Sequence, residues 1–250
     1  YLIGDIGNSL TKLSIFNSNY KLVKTYHFET SKLGREIYMK KKLSKILSKN
    51  LNKKILFCSV VPETYKKLKI YLLKNNFFCN EIKQYKIKKI IKIKIKKISQ
   101  VGSDRIANAI GSYTKYKTNC IIIDFGTATT FDVIKKGFIY DGGVIAPGIK
   151  LSIENLFSST ALLPMFQLNK YPKNYGKNTK EALTSGFFWG YEGLINNIIK
   201  KITKKNGINF KIVLTGGYSY LFRNRLIKKA KIENDITIQG IIKIYKYFLI

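Results

Sequence analysis

Two short apolar runs open the chain, residues 2–7 and 11–16, with Gly7-Asn8-Ser9 between them. The second run, Lys12-Leu13-Ser14-Ile15-Phe16, partly alternates in polarity, so the pair reads as two strands joined by a tight turn. Residues 36–51 place apolar positions at helical spacing among lysines and predict an amphipathic helix. Lys54 to Val61 (KILFCSVV) is a buried-strand candidate that stops at Pro62, and a helical pattern resumes over 63–75. In Ile90 to Ile98 (IIKIKIKKI), Ile91, Ile93 and Ile95 alternate with Lys92, Lys94 and Lys96. A period of two in β-branched residues predicts a strand with one wet face. A helix starts at 102–113; then CIIIDFGTATT, residues 120–130, reads as a buried strand followed by a Gly/Thr turn, and Phe131 to Ile134 as the next strand. The Gly/Pro density of Gly142 to Gly148, and of Ser158 to Pro164, signals a shaped loop. Asn178-Thr179 precede another helix, and the strand Ile212-Val213-Leu214 runs into Thr215-Gly216-Gly217.

The arrangement at 2–16 recurs at 121–134: an apolar strand, Asp, any residue, Gly, a small polar residue, then a second strand. This weak internal duplication predicts two similar β-hairpin modules. The boundary is expected near residue 117, giving domains 1–117 and 118–250, although no Pro/Gly/Ser linker marks it.

Composition changes this picture little. The length of 250 residues suffices for one large domain or two modest ones. No run approaches the roughly 18 apolar residues of a membrane helix, and the opening Tyr1-Leu2-Ile3-Gly4-Asp5 is a strand and turn rather than a signal core. No membrane association and a cytoplasmic location are the expectations, and the lack of Met at position 1 suggests a trimmed start. Cys58, Cys79 and Cys120 fit no metal-ligand spacing and read as buried free thiols. The single histidine, His27, has no ligand-like neighbour, which argues against a Ser-His-Asp mechanism. The formal charge of +32 would by itself suggest a polyanion partner. The lysines, however, are spread along the chain beside abundant Ile, Asn, Tyr and Phe, a mixture that A/T-rich codons favour. Most lysines are therefore expected at solvated positions, and no specific nucleic acid is expected.

Several groups carry candidate chemistry. Asp5-Ile6-Gly7-Asn8-Ser9 ends a strand in a carboxylate and continues in a turn whose Gly lets the backbone approach a phosphate. Asp5 is suited to a magnesium ion held through water. Asp124-Phe125-Gly126-Thr127-Ala128-Thr129-Thr130 repeats the plan, with three hydroxyls that suit phosphate oxygens or a cation. Gly102-Ser103-Asp104-Arg105 opens a helix with a carboxylate beside a guanidinium, a base and an anion clamp together.

In their order these groups resemble type III pantothenate kinase, a family of the acetate and sugar kinase, Hsp70 and actin superfamily. The resemblance rests on Asp5-x-Gly-Asn-Ser, Ser59-Val60-Val61-Pro62, Gly102-x-Asp-Arg, Asp124-x-Gly-Thr-Ala-Thr-Thr, Gly142-Gly-x-Ile-x-Pro-Gly, Thr160-Ala-x-Leu-Pro, Asn178-Thr179 and Thr215-Gly-Gly. It implies an α/β actin-like ATPase (ribonuclease H-like) fold, two duplicated domains around a nucleotide cleft. It also implies ATP-dependent phosphorylation of pantothenate, a homodimer, magnesium, and a monovalent cation, potassium or ammonium. Carried onto this chain, Asp104 is the general base, and Asp5, Ile6, Gly7, Asn8, Ser9, Leu10, Thr11, Lys12 and Thr127 meet ATP. Asp124 holds the monovalent cation; Gly102, Ser103, Asp104, Arg105 and Thr179 line the pantothenate site, Thr179 from the partner subunit. The family's Tyr-x-x-Pro before Gly-x-Asp-Arg is replaced here by Ile95 and Ile98, so Ile95 takes the place of a substrate-touching Tyr. The rival readings are a non-catalytic relative acting as a transcription accessory factor and another small-molecule kinase of the superfamily.

Overall fold

The computed structural model describes residues 1–250, which form two compact units. The first comprises residues 1–116, 138–140 and 235–250. It begins with β1 (Leu2–Ile6), β2 (Leu10–Phe16), β3 (Leu22–Glu29), α1 (Thr30–Leu33), α2 (Glu36–Leu47), β4 (Lys54–Ser59), α3 (Pro62–Lys74) and β5 (Phe78–Glu81). The two-residue β6 (Lys92–Ile93) and α4 (Ser103–Tyr116) follow. The second unit holds β7 (Cys120–Phe125), β8 (Ala128–Lys135), most of β9 (Ile139–Pro147), α5 (Ile149–Ser158), α6 (Thr179–Asn206), β10 (Lys211–Gly216), α7 (Ser219–Phe222) and β11 (Ala230–Ile232). The last helix, α8 (Ile236–Phe248), belongs with the first unit rather than with the residues before it.

The first sheet has the order β3-β2-β1-β4-β5. Its first three strands form an antiparallel meander, and β4 and β5 join in parallel. The order β9-β8-β7-β10-β11 repeats this plan in the second unit, with β8 antiparallel to β7 and β10 and β11 parallel. The duplication expected from sequence is thus a repeat of topology. In each copy the carboxylate ends the central strand: Asp5 lies opposite Lys12 and Cys58, and Asp124 opposite Thr130 and Thr215.

One core of the first unit packs Leu2, Ile6, Leu13 and Phe57 of the sheet against Leu33, Met39, Leu43, Leu68 and Leu72 of α1–α3. On β1 and β4, α8 packs together with α4. A Cβ on Gly111 would overlap the Ile236 carbonyl oxygen, and one on Gly240 that of Ala107, so the two helix backbones touch at these glycines. The second core joins Ile121, Ile123, Phe131, Ile212 and Leu214 to Phe188, Ile195 and Ile199 of α6.

Two expectations are corrected. Ile90 to Ile98 is not a full strand: only Lys92 and Ile93 pair, with Ile139 and Tyr140, between short 3-10 turns at Ile87–Lys89 and Ile98–Gln100. The alternation survives in burial, with lysines exposed and Ile91 buried, because it tracks wetting rather than hydrogen bonding. Gly142 to Pro147, expected as a loop, continues β9. Beyond its pairing with β6 this strand is an edge, where Gly and Pro are tolerated. The three thiols are free and buried, no lysine is buried, and His27 is exposed. No helix is long and apolar enough to cross a membrane.

Candidate active site

In the first unit the turn after Asp5 is held from below. Gly7 N–H donates to Leu10 O (3.1 Å), closing the turn, and Asn8, Ser9 and Leu10 are exposed. Thr30, buried where β3 meets α1, donates its hydroxyl to Gly7 O at 2.7 Å and its N–H to Ser9 O at 3.1 Å. Its Oγ1 also lies 2.9 Å from Thr11 Oγ1, and Thr11 is itself buried. A turn whose outer amides face solvent while its carbonyls are pinned inside can offer N–H groups to an anion. Ile6 is buried at the end of β1, and Lys12 is half-buried across from Asp5.

The second element is the start of α4. Asp104 and Arg105 occupy its first turn, both half-exposed, and Arg105 N–H donates to Asp104 Oδ1 at 2.8 Å. The carboxylate therefore caps its own helix start, where the dipole favours negative charge. A Cβ on Gly102 would overlap Asp104 Oδ1, so any larger residue there would turn the Asp104 carboxylate from this position. The Ser103 hydroxyl, expected on the substrate wall, is buried and donates to Glu81 Oε1.

Asp5, Cys58, Asp104 and Glu81 form one electrostatic neighbourhood. Burial pushes the Cys58 thiol well above its ordinary value, and the negative charges of Asp5, Asp104 and Glu81 push it the same way. The thiol also donates a hydrogen bond to the Asp5 carboxylate. Ile95 is half-exposed just after β6, next to Lys94, whose N–H donates to Tyr140 O at 2.9 Å.

In the second unit, Asp124 is half-buried at the end of β7, and Thr127 is exposed in the turn to β8. Gly126 N–H donates to Ala128 O (3.2 Å), and Gly217 N–H to Phe125 O (3.2 Å). Gly148, where β9 meets α5, has room for no Cβ because the Thr127 carbonyl fills that space. Gly216, at φ +84°, lies against the Phe125 backbone. Thr130, across the ladder from Asp124, keeps a buried hydroxyl oxygen without a hydrogen-bond partner. Thr179 is exposed at the first position of α6, which Asn178 caps by accepting Glu181 N–H at 3.0 Å.

Sequence reasoning missed Thr30 and Glu81. Neither sits in a glycine-rich turn, and each acts through hydrogen bonds to residues more than twenty positions away.

Residues 1–201 match the family profile described as type III pantothenate kinase. A type III pantothenate kinase of Pelagibacter ubique is 45% identical over 243 residues, 97% of each chain. A solved Campylobacter jejuni protein assigned to the Baf family of transcriptional activators superposes with TM-score 0.64 over 99% of this chain and 98% of its own, at 23% identity. A Sinorhizobium meliloti protein assigned as a 2-dehydro-3-deoxygalactonokinase superposes with TM-score 0.62 at 10% identity, over 99% of this chain and 98% of its own. These two likenesses show the fold, that of the actin-like and sugar kinases. With four-fifths of its length matched by the profile and a relative of that family aligned nearly end to end, the chain belongs to the type III pantothenate kinase family.

Proposed function

We propose that the protein transfers the γ-phosphoryl group of ATP to the primary hydroxyl of pantothenate, giving 4′-phosphopantothenate and ADP, the first step toward coenzyme A. The observation that carries this reading is the first turn of α4: Asp104 and Arg105 stand half-exposed there, in the electrostatic neighbourhood of Asp5. Asp104 accepts the proton of the pantothenate hydroxyl. The freed oxygen attacks the γ-phosphorus in line, and the bond to the ADP oxygen breaks. Phosphoryl transfer asks mainly for positioning and charge neutralisation. The turn from Gly7 to Leu10 would cradle the phosphates, with the exposed Asn8 and Ser9 supplying N–H groups, Thr11 beneath it and the Lys12 ammonium adding positive charge. Thr127 would also meet ATP. Arg105 would grip the pantothenate carboxylate as a fork, with Gly102 shaping that wall and Ile95 in the place of the family's Tyr.

Asp5 fits magnesium, since a half-exposed carboxylate beside a phosphate-binding turn supplies the hard oxygen this ion takes. Asp124 fits a monovalent cation, because the unpartnered Thr130 hydroxyl oxygen opposite it is a second oxygen donor. Bound at Asp5, magnesium would neutralise charge on the phosphates. Replacing potassium by a bulky organic cation should cut turnover in the wild type, and Asp124→Ala should no longer respond to potassium. Full activity without potassium or ammonium would remove this role from Asp124.

Thr30→Val tests the phosphate turn. It keeps the side-chain shape and leaves Gly7 O and Thr11 Oγ1 without their partner, a loss on the order of 1–3 kcal/mol. Part of this should appear as an ATP KM raised about tenfold, with the pantothenate KM unchanged. A lower melting temperature with an unchanged ATP KM would limit Thr30 to the fold.

A homodimer is the favoured assembly. Gly186, Gly190 and Gly193 are exposed on α6, and a Cβ on any of them would meet nothing within 4 Å. Each interior glycine weakens a helix by about 1 kcal/mol relative to Ala, and close approach of a second copy explains their presence. Ile145 (64% exposed), Leu162 (91%) and Trp189 (42%) add apolar surface in the same unit. Light scattering should give twice the 28.8 kDa chain mass, and Gly190→Leu should return the monomer. A monomeric wild type would contradict the assignment.

The experiment for the function is a panel of acceptors, namely pantothenate, sugars and acetate, with ADP release as the readout. Pantothenate-dependent ADP release is expected. Turnover of a sugar or acetate alone would favour another kinase of the fold. No turnover of any acceptor, together with sequence-specific DNA binding at physiological salt, would favour an accessory factor, the reading that the +32 charge supports.

A further inference from the structure

The start of α4 is tied to the end of a strand by one partly buried hydrogen bond, from the buried Ser103 to the half-exposed Glu81. Glu81 closes β5, and both of its carboxylate oxygens are engaged. Oε1 accepts the Ser103 hydroxyl, and Oε2 accepts Lys83 N–H at 2.6 Å. Its own N–H donates to Gln84 Oε1 at 2.9 Å, so backbone and side chain are fixed together. On the other side, Ser103 has no exposed surface, and its hydroxyl points at Glu81 rather than outward. The next residue is Asp104, with one oxygen held by Arg105 N–H. A hydroxyl donating to a carboxylate makes a charge-assisted bond, about twice as strong as a neutral one.

We infer that Glu81 is a positioning residue: through the Ser103 hydroxyl it fixes the first turn of α4, and so sets where the Asp104 carboxylate meets the hydroxyl that is to be phosphorylated. The inference rests on the reading of Asp104 as the base. It assigns Ser103 to the support of that base, acting from behind, rather than to contact with pantothenate. The charges on Glu81, Asp5 and Asp104 all act on the Cys58 thiol, so Glu81 lies close to the groups it would support. Proton transfer tolerates little displacement of the base, and a misplacement of about 1 Å costs about 100-fold in rate.

A plain anchor for the fold would show the same hydrogen bond, so the test separates the two roles. Glu81→Gln, Ser103→Ala and their double variant are assayed with pantothenate, with melting temperatures recorded. Ser103→Ala and Asp104→Asn are also combined. Each single variant should lower kcat by about 10–100-fold with the ATP KM unchanged. The Glu81/Ser103 double variant should be no slower than its slower parent, because the two act as one unit. Ser103→Ala should cost nothing further once Asp104 is Asn. If Glu81→Gln does not fold, Ser103→Ala alone decides. A kcat within twofold of wild type alongside a lower melting temperature makes the tie purely structural and overturns the inference. So does a full additional loss in the Asp104→Asn background. Near-normal turnover by Asp104→Asn itself would instead remove the base assignment, and the positioning role with it.

Discussion

Asp104→Asn should lower kcat for pantothenate phosphorylation by about 10²–10⁴-fold while ATP binding survives. Asn keeps the size of the side chain and can still accept Arg105 N–H, so the first turn of α4 should hold its geometry. It cannot accept the hydroxyl proton. The loss therefore falls on the chemical step, and equilibrium binding of an ATP analogue should match wild type. Arg105 supplies the contrast: Arg105→Lys leaves a charge but removes the planar fork, so it should raise the pantothenate KM more than it lowers kcat. Near-normal turnover by purified Asp104→Asn would rule out the base.

Gly240→Ala should be among the most damaging conservative changes in the fold. The added methyl would overlap the Ala107 carbonyl, and the facing Gly111 already lies against the Ile236 carbonyl. Both obstacles are backbone, so neither can rotate away. Beside them the buried Thr237 hydroxyl donates to Asn108 Oδ1 at 2.6 Å, fixing the register of the two helices. Overpacking of this kind costs about 1–3 kcal/mol. For a chain of this size each kcal/mol lowers the melting temperature by about 2–4 °C. A drop of about 2–12 °C is expected, with lower activity because α4 carries Asp104. Gly34→Ala is the control: its φ is −71°, and the nearest atoms are the flexible end of Lys67 at 3.8 Å. An unchanged melting temperature for Gly240→Ala would mean that α4 and α8 do not meet at these glycines.

The sequence was most legible where chemistry is local. The Asp5 and Asp124 turns and the start of α4 are each written within about seven residues, by a carboxylate, glycines and small polar side chains, and all three stand where the pattern put them. The repeat of an apolar strand, Asp, Gly and a second strand correctly announced a duplicated sheet, because the same local constraint was met twice. Legibility failed where the deciding contact is distant. The return of α8 to the first unit depends on two glycines 129 residues apart facing across a helix crossing, a distance matched by the bond between Thr237 and Asn108. Thr30 and Glu81 look like ordinary polar residues until their partners at Gly7 and Ser103 are in place. Gly142 to Pro147 reads as a loop by composition and becomes a strand because an edge needs few ladder donors. The lysines misled least: none is buried, as solvated positions require.

The most direct measurement follows the phosphoryl group itself. Purified protein is incubated with ATP labelled in the γ-phosphate, pantothenate, magnesium and potassium, and the products are separated. The expected result is label in 4′-phosphopantothenate in one-to-one proportion with ADP, at a rate that Asp104→Asn reduces by about 10²-fold or more. Label that stays in ATP, or appears only as inorganic phosphate while pantothenate is recovered unchanged, would contradict the assignment.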